Sequence, residues 1–123
     1  MSKTLLFVDD EDMNLFILDK LFSKEYEVMT ANSAAEGLEI IRQEIAQIDV
    51  VITDLKMPEM SGMEMINQAG DLLQGTPAFL LTGYNHHQEI DDAIANNTIT
   101  GVFKKPFDFE QMRKELADLF SKD

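Results

Sequence analysis

The sequence predicts an α/β fold in which a parallel sheet is covered by helices on both faces. Short apolar runs alternate with segments whose apolar residues recur at helical spacing, and this alternation repeats five times along the 123 residues. The short runs are apolar almost throughout instead of at every second residue, which is typical of strands buried on both faces. Right-handed crossover helices between parallel strands satisfy both observations.

The first two strand–helix units occupy the N-terminal part of the chain. Thr4–Val8 is the first predicted strand, because its apolar run ends abruptly at acidic residues. The helix after it has one apolar face, formed by Leu15, Leu18 and Phe22. Tyr26–Ala31 is the second strand, and Ser33 with Glu36 has the capping-box spacing that begins a helix. The apolar stripe of this second helix consists of Ala34, Leu38, Ile41 and Ile45.

The third unit begins with Asp49–Thr53, a β-branched run with polar ends that is typical of a buried strand. The loop after it contains Pro58 and Gly62, residue types that are common in turns. The helix that follows has an apolar face formed by Gly62, Ile66, Ala69 and Leu73. This unit therefore joins a buried strand to its helix through a loop that is rich in turn residues.

The last two units complete the sheet. Ala78–Leu81 is the fourth strand, and Gln88–Asn96 is a weaker helix. The inward face of that helix is thin and consists of Ile90, Ala93 and Ile94. Thr100–Phe103 is the fifth strand, and Asp108 is the predicted N-cap of the last helix. The inward face of the last helix consists of Phe109, Met112, Leu116 and Leu119.

Composition narrows the class of protein. We see no linker or repeat, so we predict one domain over residues 1–123. The absence of cysteine excludes disulfides and thiolate zinc sites, and a net charge of −13 disfavours direct nucleic-acid binding. No apolar run approaches the roughly 20 residues that span a bilayer, and the N-terminus does not resemble a signal peptide. We therefore expect a cytoplasmic protein that binds neither nucleic acid nor membrane.

Chemically distinctive side chains follow four of the predicted strands. Asp9 and Asp10 follow the first strand, Asp54 the third, Thr82 the fourth and Lys105 the fifth. Each is unremarkable alone, since acids and threonines after strands are usually turn residues. Because ligands of open α/β sheets bind beyond the carboxyl ends of the strands, we expect these side chains to converge.

The convergence predicts a metal-dependent phosphoryl site. Three carboxylates in one place repel each other unless a cation lies among them, and Mg²⁺ prefers such oxygen ligands. We expect Mg²⁺, with Mn²⁺ as a possible substitute, at Asp9, Asp10 and Asp54. A carboxylate is a known nucleophile toward phosphoryl groups, which assigns that role to Asp54. Thr82 and Lys105 would stabilise the charge on the phosphoryl oxygens.

Four segments of the chain resemble the receiver domains of bacterial two-component response regulators, such as the chemotaxis regulators. They are LLFVDDE, DVVITDLKMPEMSGMEM, FLLTG and VFKKPF, and the resemblance covers essentially the whole chain. It implies a flavodoxin-like, doubly wound five-stranded sheet of order 2-1-3-4-5 with five helices. It also implies a phosphoacceptor switch that catalyses only its own phosphorylation and dephosphorylation.

The resemblance implies a role for each site residue. Asp54 matches the phosphoacceptor, Asp10 a direct metal ligand and Asp9 a ligand acting largely through water. Lys56 matches the position whose backbone carbonyl ligates the metal. Two further positions match the switch hydroxyl and the lysine that pair with the phosphoryl oxygens, namely Thr82 and Lys105. The bond between Lys105 and Pro106 is typically cis in such domains.

The chain departs from the family pattern at Val102, where the family usually has Tyr or Phe. The neighbouring aromatic is Phe103, and strand alternation places neighbours on opposite faces. We therefore expect Phe103 to fill the core and not to replace the moving aromatic of the switch. We also predict that Tyr84 and Lys56 overhang the phosphoryl group and that Tyr84 slows its hydrolysis.

The resemblance implies partners on both sides of the signal. A histidine kinase or a histidine phosphotransfer protein would supply the phosphoryl group, and the surface of the fourth helix, fifth strand and fifth helix would pass the signal on. The last helix ends near Phe120, so we expect the output in a partner protein or in an output domain outside this sequence. Dimerisation through the same surface stays open.

Two other classes of protein compete with this interpretation. A haloacid-dehalogenase-type phosphatase needs a second Asp two residues beyond the nucleophile, and that position is Lys56. A flavodoxin-like electron carrier needs a first loop that cradles a flavin phosphate, but that loop is DDED. His86 and His87 suggest a metal or phosphotransfer site, although an exposed helix start explains them more simply. Flavin colour, phosphomonoester turnover and stoichiometric phosphoryl labelling separate the three classes.

Overall fold

The computed structural model describes residues 2–83 and 88–121, which contain a five-stranded sheet. The strands are β1 (Thr4–Val8), β2 (Glu27–Ala31), β3 (Val50–Asp54), β4 (Ala78–Thr82) and β5 (Gly101–Lys104). All neighbours are parallel, in the order β2-β1-β3-β4-β5, which confirms the predicted sheet. Because β2 lies on one side of β1 and the later strands on the other, the crevice for a ligand falls between β1 and β3.

Within the described ranges, five helices connect and cover these strands, as predicted. They are α1 (Asp12–Phe22), α2 (Ala34–Glu44), α3 (Gly62–Ala69), α4 (Gln88–Ala95) and α5 (Phe109–Ser121), with short 3₁₀ turns at Ile45–Gln47 and Gly70–Leu73. Ser33 caps α2 by accepting from the Glu36 amide, as the sequence predicts. Ser61 and Glu64 form a complete capping box at α3, which we did not predict although Ser-x-x-Glu is visible in the sequence.

Two apolar cores lie on opposite faces of the sheet. Leu5 and Phe7 of β1 enter the core beneath α1 and α5, whereas Leu6 and Val8 enter the core beneath α2, α3 and α4. This alternation follows from the two-residue period of a strand. The inner strands β1, β3 and β4 are buried on both faces, as predicted, whereas the edge strands β2 and β5 are partly exposed.

Several predicted details differ from the structure. Ile94 is 38 % exposed, because it lies in the last turn of α4 where the chain already turns back toward β5. Tyr26 precedes β2, since its amide bonds to the Phe22 carbonyl at the end of α1. Ile45 begins a 3₁₀ turn instead of extending α2, and Leu73 likewise lies in a 3₁₀ turn beyond the end of α3. The inward face of α4 therefore consists of Ile90 and Ala93 alone among its described residues.

Some predictions concern residues that the structure does not describe. Tyr84, His86 and His87 lie outside the described ranges, so the predicted overhang and the predicted helix start stay predictions. Across residues 2–83 and 88–121, no helix combines the length and the apolar character that a bilayer-spanning segment requires.

Candidate functional site

Three carboxylates converge at the carboxyl end of the sheet. Asp54 is the last residue of β3, while Asp9 and Asp10 directly follow β1, the neighbouring strand. Each of the three offers an oxygen atom, and these atoms lie within 4.8 Å of one another. Asp9 and Asp54 are buried and Asp10 is exposed, so the cluster opens to solvent on one side. The sequence prediction that these acids meet is therefore confirmed.

Lys105 places a positive charge in contact with Asp54. Its Nζ atom lies 3.1 Å from Oδ2 of Asp54. Its backbone amide bonds to the carbonyl of Thr82 at 3.0 Å, which ties the end of β5 to the end of β4. The bond between Lys105 and Pro106 is cis, as the resemblance implied. Lys105 thus reaches Asp54 from a backbone position that two neighbouring strands fix.

The electrostatics of the cluster favour a cation. Burial is the main cause that raises the pKa of the Asp54 carboxyl above its usual value, and the charges of Asp9 and Asp10 raise it further. The hydrogen bond and the charge of Lys105 lower the same pKa without cancelling the rise. Lys105 therefore does not offset the combined effect of burial and the neighbouring carboxylates on Asp54, and a bound divalent cation would add the positive charge that favours the ionised form.

These side chains share an open cavity that is large enough for a phosphoryl group and a hydrated ion. Its volume is ≈ 370 Å³. The lining residues are Asp10, Glu11, Asp54, Lys56, Thr82, Gly83 and Lys105. Thr82 is buried at the end of β4, and Lys56 is exposed in the loop after β3. Every residue that we predicted for the phosphoryl group among the described ones thus borders this cavity or its carboxylate cluster.

The family model described as the response regulator receiver domain matches residues 5–117. The chain belongs to this family. The receiver domain is 39 % identical over 118 residues to the transcriptional regulatory protein GlrR of Escherichia coli K12, covering 93 % of this chain but 25 % of that protein. It thus spans about a quarter of the length of the first curated relative.

Other relatives match over almost their full length. The sporulation initiation phosphotransferase F of Bacillus subtilis is 28 % identical over 114 residues, which are 92 % of the receiver domain and 90 % of that protein. A response regulator receiver domain structure from Clostridium thermocellum has a TM-score of 0.84 at 30 % identity, covering 98 % and 95 % of the two chains. The Vibrio cholerae chemotaxis protein CheY4 gives 0.84 at 28 % identity, covering 96 % and 98 %.

Phe103, the aromatic residue next to the usual switch position, lies in the core, as the sequence predicts. Phe103 is buried, and its ring stacks on Phe79 with centroids 4.7 Å apart, in the core beneath α1 and α5. Val102 is half-buried and packs against the opposite core, beneath α2, α3 and α4. In this receiver domain, the position that usually carries a moving aromatic therefore carries a short aliphatic side chain.

Two features around the cluster were not predicted from the sequence. Asn14 donates a hydrogen bond from its side-chain amide to Oδ2 of Asp9, at 3.2 Å. The outer face of α1 exposes three large apolar side chains, those of Met13, Phe16 and Ile17. The three- and four-residue spacing of the apolar residues is visible in the sequence, but only the orientation of α1 shows that they point outward.

Proposed function

We propose that this receiver domain accepts a phosphoryl group on Asp54 from a phosphohistidine in a Mg²⁺-dependent reaction. The observation that carries the proposal is the meeting of Asp9, Asp10 and Asp54 in one cluster, with Lys105 in contact with Asp54. An oxygen atom of Asp54 forms a bond to phosphorus as the phosphorus–nitrogen bond of the donor breaks. The leaving imidazole nitrogen keeps the electron pair of that bond and takes up a proton.

The residues present fit the metal. Carboxylate oxygens are the hard ligands that Mg²⁺ prefers, and three of them meet here. Burial, together with the charges of Asp9 and Asp10, raises the pKa of Asp54, so a nearby cation would favour its ionised form. Asp9, Asp10, Asp54 and the backbone carbonyl of Lys56 would hold Mg²⁺ or Mn²⁺. The metal, when bound, neutralises charge on the transferring phosphoryl oxygens.

Two side chains of the domain, those of Lys105 and Thr82, would stabilise the phosphoryl group on Asp54. The ammonium group of Lys105 lies 3.1 Å from the Asp54 carboxylate, so it can shift to the phosphoryl oxygens once Asp54 is esterified. Thr82, at the end of the adjacent strand β4, would donate its hydroxyl hydrogen to another phosphoryl oxygen. Because Thr82 precedes α4 and Lys105 follows β5, their movement would alter the surface of α4, β5 and α5.

We propose that this surface passes the signal to a downstream protein or to an attached output domain. α4 packs shallowly, since it has two buried residues and Ile94 is exposed. This shallow packing supports the mobility of α4. The region that matches this chain makes up a quarter of one curated relative and nine-tenths of another, so it occurs both within a longer protein and nearly by itself. The domain would thus act as a switch and catalyse only the gain and loss of its own phosphoryl group.

Phosphoryl labelling tests the main proposal. Incubation with acetyl phosphate and Mg²⁺ is expected to add the mass of one phosphoryl group to the intact protein. Excess chelator is expected to prevent the gain, because the carboxylate cluster then repels the incoming phosphate. Mass spectrometry of the intact protein measures both arms, and circular dichroism checks that the chelated protein stays folded. No mass gain in folded protein with Mg²⁺ would overturn the proposal.

The exposed face of α1 is the surface that we propose for the phosphohistidine protein. α1 begins at Asp12, two residues beyond Asp10, so a donor protein that reaches Asp54 is expected to contact this helix. Met13 is 67 % and Phe16 59 % exposed, and Ile17 extends the same patch. An apolar patch beside a charged cavity suits a protein donor better than a small phosphodonor, which needs only the cavity.

Phe16→Ala is expected to slow transfer from a phosphorylated histidine kinase or phosphotransfer protein by about tenfold or more, as for a buried aromatic anchor. Labelling by acetyl phosphate is expected to stay at the parent rate. Leu72→Ala is the control, because Leu72 is also an exposed apolar residue but lies in the 3₁₀ turn before β4, at the opposite end of the sheet. Equal slowing with both donors would show that Phe16 acts on the site and not on docking.

A further inference from the structure

The carboxylate of Asp9 is held at both oxygens. The Asp9 side chain is fully buried, and its Oδ1 atom accepts a hydrogen bond from the Glu11 backbone amide at 2.9 Å. Its Oδ2 atom accepts from Nδ2 of Asn14, in the first turn of α1, at 3.2 Å. Asn14 must present its NH₂ group here, since its carbonyl oxygen would repel the carboxylate.

We infer that Asn14 is a positioning residue for the metal site. Asn14 fixes the Asp9 carboxylate in the plane that a small divalent cation requires. The inference rests on the metal-dependent function proposed above. With one oxygen tied to the backbone and the other to Asn14, the carboxylate cannot rotate about its Cβ–Cγ bond without losing a bond. Its two oxygens accept about four hydrogen bonds in all, so capacity remains for the cation or for a water bound to it.

The direction of the hydrogen bond distinguishes this role from helix capping. The first turn of a helix has free amide hydrogens, which need acceptors. Asn14 donates instead, and its partner is Asp9 at the end of β1, outside the helix. The N-cap residue of α1, Glu11, makes no side-chain capping bond. Asn14 therefore serves the carboxylate and does not supply the acceptor that the helix terminus lacks.

The neutrality of Asn14 also fits a metal site. A lysine or an arginine at this position would pair with Asp9 and oppose the binding of a cation. An amide orients the carboxylate while leaving its full negative charge available. Residues that hold the ligands of a metal commonly affect its affinity almost as much as the ligands themselves.

Titration calorimetry of the full chain with Mg²⁺ and with Ca²⁺ tests the inference. Asn14→Leu keeps the size of the side chain and removes the donor. Its affinity for Mg²⁺ is expected to fall about tenfold or more, as is usual for residues that orient metal ligands. Its affinity for Ca²⁺ is expected to fall less, because Ca²⁺ accepts irregular geometry whereas Mg²⁺ demands a near-ideal octahedron. The preference for Mg²⁺ over Ca²⁺ is thus expected to fall.

Two further variants keep the result interpretable. Asn67→Leu, an exposed position on α3, is expected to bind both ions like the parent. Asn14→Gln retains the NH₂ donor on a longer side chain and is expected to recover part of the Mg²⁺ preference. It also serves as the test, compared with Asn14→Ala, if Asn14→Leu does not fold. Thermal unfolding in chelator reports any purely structural effect.

The outcomes separate this inference from the proposed function. Unchanged Mg²⁺ affinity in Asn14→Leu, with normal binding by the parent, would overturn the positioning role and leave the proposed function standing. An equal loss for Mg²⁺ and Ca²⁺, together with a lower unfolding temperature in chelator, would overturn it as well, since Asn14 would then be structural. A folded parent that binds no Mg²⁺ would overturn both.

Discussion

Asp54→Asn is expected to reduce phosphoryl labelling to background, the largest effect of any single change in this receiver domain. An amide oxygen is a much weaker nucleophile than a carboxylate, and the variant removes one of the three negative charges that would hold the metal. Labelling with acetyl phosphate and Mg²⁺, followed by intact-mass measurement, checks this result. Asp71→Asn is the control, since Asp71 is exposed in the 3₁₀ turn before β4.

The same substitution is expected to stabilise the metal-free protein near neutral pH. A raised pKa means that folded protein binds the Asp54 proton more tightly than unfolded protein does, so the ionised carboxylate destabilises the fold. This penalty is absent at a pH below the pKa of Asp54 in the unfolded protein, near the model-compound value of 3.8. It grows as the pH rises from there through the pKa of Asp54 in the folded protein. The stability gap between variant and parent should therefore open with rising pH.

Urea unfolding in chelator across this pH range measures the gap. Mg²⁺ is expected to reverse the order of stability, because the parent binds the cation more tightly than the variant. Labelling of Asp54→Asn at the parent level would show that another residue accepts the phosphoryl group. A parent more stable than the variant at neutral pH without metal would instead show that the ion pair with Lys105 outweighs burial and repulsion.

Gly62→Ala is expected to destabilise the fold by about 3 kcal/mol, the upper range for forcing an added methyl group into a packed site. A Cβ atom on Gly62 would overlap the backbone carbonyl oxygen of Asp54 and press on the side chain of Thr53. That carbonyl cannot easily move, because it belongs to the buried strand β3 and accepts the Thr53 hydroxyl at 3.0 Å. The Gly62 amide also bonds to the Leu55 carbonyl at 2.9 Å, so α3 cannot move away freely.

The overlap also links stability to function. Any shift that relieves it displaces the backbone of Asp54, so slower phosphoryl labelling is expected in the fraction that remains folded. Gly83→Ala is the matched control, because a Cβ atom there meets only the Lys105 side chain at 3.9 Å, an ordinary contact. Its stability is expected to stay within about 0.5 kcal/mol of the parent. Urea unfolding of both variants measures the difference, and equal stability of Gly62→Ala and parent would contradict the close approach.

Much of the site could be predicted from the sequence because of how parallel sheets are built. The carboxyl ends of all the strands lie on one edge, so Asp9, Asp54 and Lys105 had to meet once their strands were recognised. Strand alternation likewise predicts that Val102 and Phe103 lie on opposite faces of the sheet. Ile94 was wrongly predicted to face the core, because periodicity identifies one face of a helix but not how far the surrounding elements cover that face.

The sequence by itself therefore determined the sheet, its strand ends and the chemical character of the residues placed there, since these depend on local patterns and on the parallel topology. Only the tertiary structure decided which atoms touch. It brought Asn14 onto Asp9, closed Gly62 against the Asp54 carbonyl and turned the apolar face of α1 outward beside the cavity. Such contacts depend on the angle and distance at which each helix packs on the sheet, which are set by the sum of all core side chains and by no single motif.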